Sequence, residues 1–120
     1  MSETGKWVLV ADDDEGILDV ISIILESAGY KVTTIIRGEE VLEIKEDLPD
    51  LILLDISMAG IDGRDICKKL KSQDSTKHIS IIMISANRDT EEISIQAGAD
   101  SFICKPFDMD DLLQKVAKYC

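Results

Sequence analysis

Aromatic residues make up only 4 % of this chain, and histidine occurs once, at His78. With so few aromatic side chains, the interior must be built mainly from aliphatic residues. The three cysteines, Cys67, Cys104 and Cys120, lie far apart, which excludes a disulfide framework and a CxxC metal or redox motif. No repeat and no stretch rich in Pro, Gly or Ser interrupts the sequence, so we predict no internal domain boundary.

Long apolar runs are also missing, since no stretch approaches the roughly 18 residues that a membrane-spanning helix requires. The N-terminal sequence MSETGKW lacks the basic-then-apolar layout of a signal peptide, so we expect a cytoplasmic location. Positive charge is scarce, because 24 acids face 13 Lys and Arg and the formal charge is -11. This excess argues against direct binding of nucleic acid or of an anionic membrane, because both attract basic surfaces, and the lack of a long apolar run argues against membrane insertion.

The chain has the length and composition of one globular domain. It has 120 residues, of which 45 % are hydrophobic and 31 % charged, as in ordinary folded proteins. Five aliphatic runs predict five strands, and three of them are almost continuously apolar, as in parallel strands that are buried on both faces. The predicted strands are Trp7–Ala11, Val32–Ile36, Leu51–Leu54, Ile79–Ile84 and Ser101–Cys104.

Helical patterns lie between these strands. In the first, Ile17, Ile21, Ile24 and Ala28 form an apolar stripe with Leu18 and Leu25 beside it, and Gly29 is placed to end the helix. The remaining helices are predicted at about Gly38–Asp47, Arg64–Ser72, Thr90–Ala97 and from Met109 to near the C-terminus, with Asp108 as the last N-cap. Such alternation predicts an α/β fold, a doubly wound parallel sheet with helices on both faces.

Ligands of open α/β sheets bind at the carboxyl ends of the strands, so the residues there indicate the chemistry. Asp12 and Asp13 follow the first strand, Asp55 the third, Ser85 the fourth and Lys105 the fifth. Carboxylates about 5 Å apart repel by roughly 3 kcal/mol per pair at an effective dielectric near 20, so such a group requires a cation. Oxygen ligands suit Mg²⁺, and a carboxylate beside it can act as a nucleophile toward phosphorus.

In four motifs the sequence resembles the response-regulator receiver domains of two-component signalling. These motifs, VLVADDDEG, DLILLDISMAGIDG, IIMISA and GADSFICKPF, stand in the family's order and spacing within a core of about residues 6–118. The resemblance implies a flavodoxin-like fold, a five-stranded sheet in the order 2-1-3-4-5 with five helices. We therefore expect residues 1–120 to be a single receiver domain with no separate output domain.

The resemblance also implies roles for particular residues. Asp55 is expected to accept the phosphoryl group. Asp12, Asp13 and Asp55 are expected to hold Mg²⁺, for which Mn²⁺ can substitute, together with the backbone carbonyl of Ser57. Lys105 is expected to pair with Asp55 and then with the phosphoryl group.

The resemblance also implies residues that take part in the conformational switch and residues that set the lifetime of the phosphorylated state. Ser85 is expected to hydrogen-bond the phosphoryl group, and Phe102 takes the place of the family's aromatic switch residue, although a phenylalanine is more often an ordinary core residue. Lys105 and Pro106 are expected to share a cis peptide bond. Ser57 and Asn87 occupy positions that tune the rate of dephosphorylation in the family.

Two of the departures from the family pattern change what is expected of the chain. Ala59 stands where proline is usual, so the loop after Asp55 is expected to be looser. Phe102 stands where tyrosine is common, which removes a phenolic hydrogen bond.

The function that follows is a phosphorelay switch and not a metabolic enzyme. The expected partners are a sensor histidine kinase or a histidine phosphotransfer protein, because His78 lies far from the strand ends. Phosphorylation is expected to alter the face of the fourth helix, fifth strand and fifth helix, which then controls an effector protein or an effector domain in cis, with dimerisation as a further possibility. Ile17, which is apolar and next to the acidic residues, is expected to contact the histidine donor.

Other function classes fit the sequence less well. Phosphatases with an aspartyl nucleophile carry a second acid two residues on, where this chain has Ser57. A flavodoxin-like redox carrier needs a phosphate-binding loop after the first strand, whereas ADDDEG would repel phosphate. A calcium loop of the EF-hand type needs alternating acids, and those of residues 12–14 are consecutive.

Overall fold

A parallel sheet forms the centre of the computed structural model, which describes residues 5–44, 47–58 and 61–120. Its five strands are β1 (Trp7–Ala11), β2 (Lys31–Ile35), β3 (Leu51–Asp55), β6 (Ser80–Ser85) and β7 (Ser101–Cys104), while β4 (Ser57–Met58) and β5 (Ile61–Asp62) form a separate antiparallel hairpin. The order β2-β1-β3-β6-β7 is 2-1-3-4-5 when the sheet strands are counted along the chain, which confirms the predicted topology. The predicted Val32–Ile36 and Ile79–Ile84 lie one residue away from β2 and β6.

Helices cover both faces of the sheet. They are α1 (Glu15–Ser27), α2 (Gly38–Val41), α3 (Gly63–Ser72), α4 (Glu91–Gln96) and α5 (Met109–Tyr119), with a 3₁₀ turn at Arg88–Thr90 before α4. Side chains alternate along each strand, so Val8 and Val10 pack with α1 and α5, whereas Leu9 and Ala11 pack with α3 on the opposite face. Among the described residues, no helix has the length and hydrophobicity needed to cross a membrane.

Helix α1 is rotated relative to the sequence prediction. Its buried residues are Leu18, Ile21 and Leu25, whereas Ile17 and Ile24 are only half-buried. Both sets have helical spacing and the pattern alone does not distinguish them, because this helix is apolar around much of its circumference. The half-buried isoleucines therefore lie at the edge of the covered stripe.

The second helix is shorter than predicted. The sequence pattern indicates a helix over about Gly38–Asp47, but α2 ends at Val41. Leu42, Ile44 and Leu48 still pack against the core, so their apolar character reflects coverage of the sheet without a helical backbone. The expected looseness at Ala59 concerns a position outside the described residues, as do positions 45, 46 and 60.

Aspartates cap three helices, α1, α3 and α5, at the carboxyl edge of the sheet. Asp14 Oδ1 accepts hydrogen bonds from the backbone N–H groups of Gly16 and Ile17, at 2.9 and 3.3 Å. The predicted N-cap Asp108 is confirmed, because its Oδ1 accepts from the backbone N–H of Asp111 at 2.8 Å. Such caps satisfy backbone donors that have no partner within the helix, so part of the acidic excess is structural.

The start of α3 packs directly against the backbone of β3. The N–H of Gly63 donates to the carbonyl of Ile56 at 2.9 Å. A Cβ at Gly63 would overlap the carbonyl oxygen of Asp55 and lie 2.9 Å from the Cα of Ile56. Only glycine permits this approach, which fixes the position of the segment that follows Asp55.

Gly63→Ala is therefore expected to lower the free energy of unfolding by about 1–3 kcal/mol, because the backbone must move to admit the methyl group. Urea unfolding followed by circular dichroism measures the change. Lys69→Ala, at an exposed position of the same helix, is the matched control and should change stability by less than about 0.5 kcal/mol. Equal stabilities of the two variants would contradict the close approach.

Candidate functional site

The carboxyl ends of four strands meet at one cavity of about 310 Å³. Asp12 follows β1, Asp55 ends β3, Ser85 ends β6 and Lys105 follows β7. The residues lining the cavity are Asp12, Asp13, Asp14, Asp55, Ser57, Ser85, Ala86, Asn87 and Lys105. The structure thus brings together all the residues that the sequence analysis placed at this edge.

Three carboxylates form the centre of the site. Asp12, Asp13 and Asp55 each have a carboxylate oxygen within 4.8 Å of the others. Asp12 and Asp55 are buried, with 0 % and 5 % of their surface exposed, whereas Asp13 is exposed. Two of the three charges therefore lie where water screens them poorly, which strengthens their mutual repulsion.

Lys105 provides positive charge inside this group. Its Nζ lies 3.0 Å from Asp12 Oδ2 and 3.7 Å from Asp55 Oδ2, so the ammonium is closer to Asp12 than to Asp55. Only the contact with Asp12 has the length of a hydrogen bond. One ammonium against three carboxylates leaves an excess of two negative charges.

The pKa of Asp55 reflects this environment. The pKa of its carboxyl group is raised from 3.8 to about 6, mainly by burial and in addition by the neighbouring charge of Asp12. The backbone N–H of Ser57, which donates to Asp55 Oδ1 at 3.2 Å, and the charge of Lys105 lower the pKa and offset part of this effect. The ionised form of Asp55 is thus destabilised by the fold.

The donor set fits a hard divalent cation. Carboxylate oxygens from three side chains converge, two of these carboxylates are buried, and the ammonium of Lys105 alone does not balance their charge. Mg²⁺ prefers oxygen ligands and retains several of its bound waters. The exposed position of Asp13 leaves room for these waters. Asp14 is not in this group, because its side chain caps α1.

The hydroxyl of Ser85 is linked to the segment that leads to α4. Ser85 Oγ accepts a hydrogen bond from the backbone N–H of Asn87 at 3.0 Å. The side chain of Asn87 in turn accepts from the backbone N–H of Asp89 at 2.9 Å and begins the 3₁₀ turn. A movement of Ser85 would therefore act on the backbone just before α4.

Phe102 lies outside the cavity. It is 5 % exposed and belongs to the core cluster on the face of α3. Its carbonyl accepts a hydrogen bond from Lys115 Nζ at 2.7 Å, and Lys115 also donates to Ser101 Oγ at 3.2 Å. This link between α5 and β7 was missed in the sequence, where Lys115 has only the position of a charge near a helix end.

Lys105 and Pro106 are joined by a cis peptide bond. Beyond this bond, Pro106 and Phe107 line a second, mostly apolar groove of about 330 Å³ together with Ile17, Val20, Ala86 and Lys105. Ala86 and Lys105 line both cavities, so the groove is continuous with the acidic site.

Comparison with known proteins agrees with this geometry. A family model for the response regulator receiver domain matches residues 8–117. The chain belongs to this family. As a receiver domain of two-component response regulators, it is a phosphoryl-accepting signalling domain and not a metabolic enzyme.

Individual relatives show how far the similarity extends. The phosphate regulon transcriptional regulatory protein PhoB of Rhizobium meliloti is 33 % identical over 112 residues, which are 91 % of this receiver domain and 49 % of PhoB. The chain thus spans about half the length of the curated relatives that it matches.

Two solved structures match this chain over almost their whole length. A crystal structure of a putative response regulator from Chloroflexus aurantiacus has a TM-score of 0.90 and 31 % identity, covering 95 % of this chain and 96 % of that one. The response regulator TrrA of Thermotoga maritima, in complex with Mg²⁺ and BeF, has a TM-score of 0.87 and 32 % identity, covering 96 % and 99 %.

Asp55→Asn is expected to stabilise the receiver domain near neutral pH. Because the pKa of Asp55 is higher in the folded than in the unfolded chain, the stability that is present below about pH 4 is lost as the pH rises through about 6. Asparagine carries no charge, so it avoids this loss. Without metal, the free energy of unfolding of the variant should be about 1–2 kcal/mol higher than that of the wild type at pH 7.5, and nearly the same at pH 4.

Urea unfolding at the two pH values measures this difference. Asp74→Asn is the control, since its side chain is 96 % exposed and the variant should follow the pH dependence of the wild type. A stability difference between Asp55→Asn and the wild type that does not change with pH would contradict the raised pKa.

Proposed function

We propose that Asp55 accepts a phosphoryl group from a phosphohistidine of a partner protein, in a reaction that requires Mg²⁺. The observation that carries this proposal is the group of three carboxylates, two of them buried, to which Asp55 belongs, with Lys105 Nζ 3.7 Å from Asp55 Oδ2. Asp55 is the member that ends β3 and faces the cavity shared with Ser85. The cavity therefore contains a nucleophilic oxygen from Asp55, a group of carboxylates that can bind a cation, and hydrogen-bond donors.

In the proposed step, a carboxylate oxygen of Asp55 attacks the phosphorus atom. The new P–O bond forms as the P–N bond to the donor imidazole breaks, and the imidazole leaves and takes up a proton. Asp12, Asp13, Asp55 and the carbonyl of Ser57 would hold Mg²⁺. When bound, Mg²⁺ neutralises negative charge on the oxygens of the transferring group.

Lys105 and Ser85 would then bind the phosphoryl oxygens. Lys105 must shorten its contact with the Asp55 side and give up part of its contact with Asp12. Ser85 can donate its hydroxyl proton while its oxygen still accepts from Asn87, or it can move and pull on that hydrogen bond. Ser57 and Asn87 line the cavity, where they would affect the approach of water and hence the rate of dephosphorylation.

The proposed output is a changed face formed by α4, β7 and α5. Phe102 is buried in β7 and contributes packing there, and α4 directly follows the segment that Ser85 contacts. This face would bind an effector protein, an effector domain in cis or a second phosphorylated copy. Added charge at Asp55 biases the two arrangements of the face.

The proposed donors are a sensor histidine kinase or a histidine phosphotransfer protein. His78 precedes β6, whereas the cavity lies at the opposite end of that strand, so the chain cannot supply the histidine itself. The groove beside the cavity offers Ile17 as an apolar contact for the donor. We further propose a cytoplasmic location and the substitution of Mn²⁺ for Mg²⁺.

Incubation with Mg²⁺ and acetyl phosphate is expected to add one phosphoryl group to the chain. Asp55→Asn should abolish the addition, and so should chelation of the metal with EDTA. Asp14→Asn is the matched control, because asparagine still caps α1 and the nucleophile remains. Intact-mass spectrometry measures the added phosphoryl group. The fluorescence of Trp7 is a poor reporter of phosphorylation, because Trp7 lies at the other end of β1 from the site.

A phosphoryl group on the Asp55→Asn variant, or none on the wild type, would contradict the role of Asp55. Replacement of Mg²⁺ by Mn²⁺ in the same assay should retain the addition.

Ile17→Ser is expected to slow phosphoryl transfer from a purified phosphorylated histidine kinase by about tenfold, because apolar contact area with the donor is lost. Acetyl phosphate does not need this contact, so its reaction with the variant should match that of the wild type. Ser27→Ala, at the exposed end of the same helix, is the control. Unchanged transfer from the kinase would exclude Ile17 from the docking surface.

A further inference from the structure

The negative charge of this protein is concentrated at one edge of the sheet. The segments that follow the carboxyl ends of the strands hold 15 of the 24 acids but only four of the 13 Lys and Arg. Their formal charge therefore equals the -11 of the whole chain. These segments are residues 12–16, 36–40, 55–58, 61–65, 85–92 and 105–111.

The remainder of the chain is neutral. It holds nine acids and nine Lys and Arg, which include most of the lysines. Two of the four bases at the acidic edge already pair with aspartates there, since Arg64 bonds Asp62 and Lys105 bonds Asp12. The edge thus presents its excess of carboxylates to any molecule that approaches Asp55.

An apolar groove opens within this acidic edge. Val20 is 53 % exposed, and with Ile17 and Phe107 it forms a surface that continues into the cavity of Asp55 through Ala86 and Lys105. Acids adjoin the groove residues in the sequence, namely Glu15, Asp19 and Asp108, and all three are exposed. When a partner places an apolar side chain in this groove, the charged residues on its surface come close to these carboxylates.

We propose that the phosphodonor docking at this edge carries a positively charged surface around its phosphohistidine, and that the edge disfavours donors with acidic or neutral surroundings. This inference rests on the proposed role of Asp55 as phosphoryl acceptor. A phosphohistidine is itself negative, so basic residues around it would offset its repulsion by the edge and speed the approach of the donor. Complementary charge raises association rates by about 10–10³-fold, and the gain falls with ionic strength.

Two synthetic peptides test the proposal. Each is helical, carries one phosphohistidine and a leucine for the groove, and has either lysines or glutamates on both sides of the histidine. The transferred group passes from the imidazole nitrogen to a carboxylate oxygen of Asp55, and the imidazole takes up a proton. With Mg²⁺ present, the lysine peptide is expected to react about tenfold faster at 20 mM KCl, and the ratio should approach one at 500 mM KCl.

Two triple variants locate the effect. Glu91→Gln, Glu92→Gln and Asp110→Asn remove three exposed charges from the acidic edge, whereas Glu26→Gln, Asp47→Asn and Asp74→Asn remove three exposed charges elsewhere. Both variants have the same net charge. The first should lower the rate ratio of the two peptides at least threefold at 20 mM KCl, and the second should leave it unchanged.

Each result bears on the proposal. Equal rates for the two peptides, or no transfer from either while acetyl phosphate still labels Asp55, would overturn it and leave the acceptor role intact. Equal effects of the two triple variants would also overturn it, because net charge and not the acidic edge would then select the donor. If acetyl phosphate fails to label Asp55 as well, the proposed function itself is wrong, and this inference falls with it.

Discussion

The repulsion between the buried carboxylates of Asp12 and Asp55 is the constraint on which this site depends. The sheet places both at its edge because their strands are adjacent and parallel, and the same burial that fixes them raises the pKa of Asp55. Lys105 offsets part of the repulsion and keeps its ammonium nearer to Asp12. The fold thus maintains an excess of negative charge at the site that a cation can relieve, which links the energetics of the core to the proposed chemistry.

The sheet and the residues of the site were predictable because both follow from the order of strands along the chain, and each strand is visible in the sequence as an apolar run. Strands buried on both faces are apolar throughout, so each one ends visibly where Asp12, Asp55, Ser85 and Lys105 begin. Parallel topology then requires that these ends share an edge. No side-chain detail was needed to bring together residues that are up to 93 positions apart, as Asp12 and Lys105 are.

Features that depend on competition between similar side chains were not predictable. Either apolar set of α1 could have faced the sheet, and the choice of Leu18 and Leu25 over Ile17 follows from packing. The hairpin of β4 and β5 has strands of only two residues, too short to show an alternating pattern. The partners of Lys105 and Lys115 could not be read from the sequence, since the length of a lysine side chain allows it to reach several acceptors.

Lys115 has a consequence for how the proposed output face of α4, β7 and α5 would transmit a signal. Its bonds to Phe102 and Ser101 join α5 and β7 into one unit, whereas α4 is only six residues long and buries Ser94 in place of a large apolar side chain. A protein bound across this face would therefore contact one firmly held surface and one weakly held surface. Its affinity would depend on how α4 is positioned relative to the unit of α5 and β7. A small displacement of α4 would then change binding while the rest of the fold stays in place.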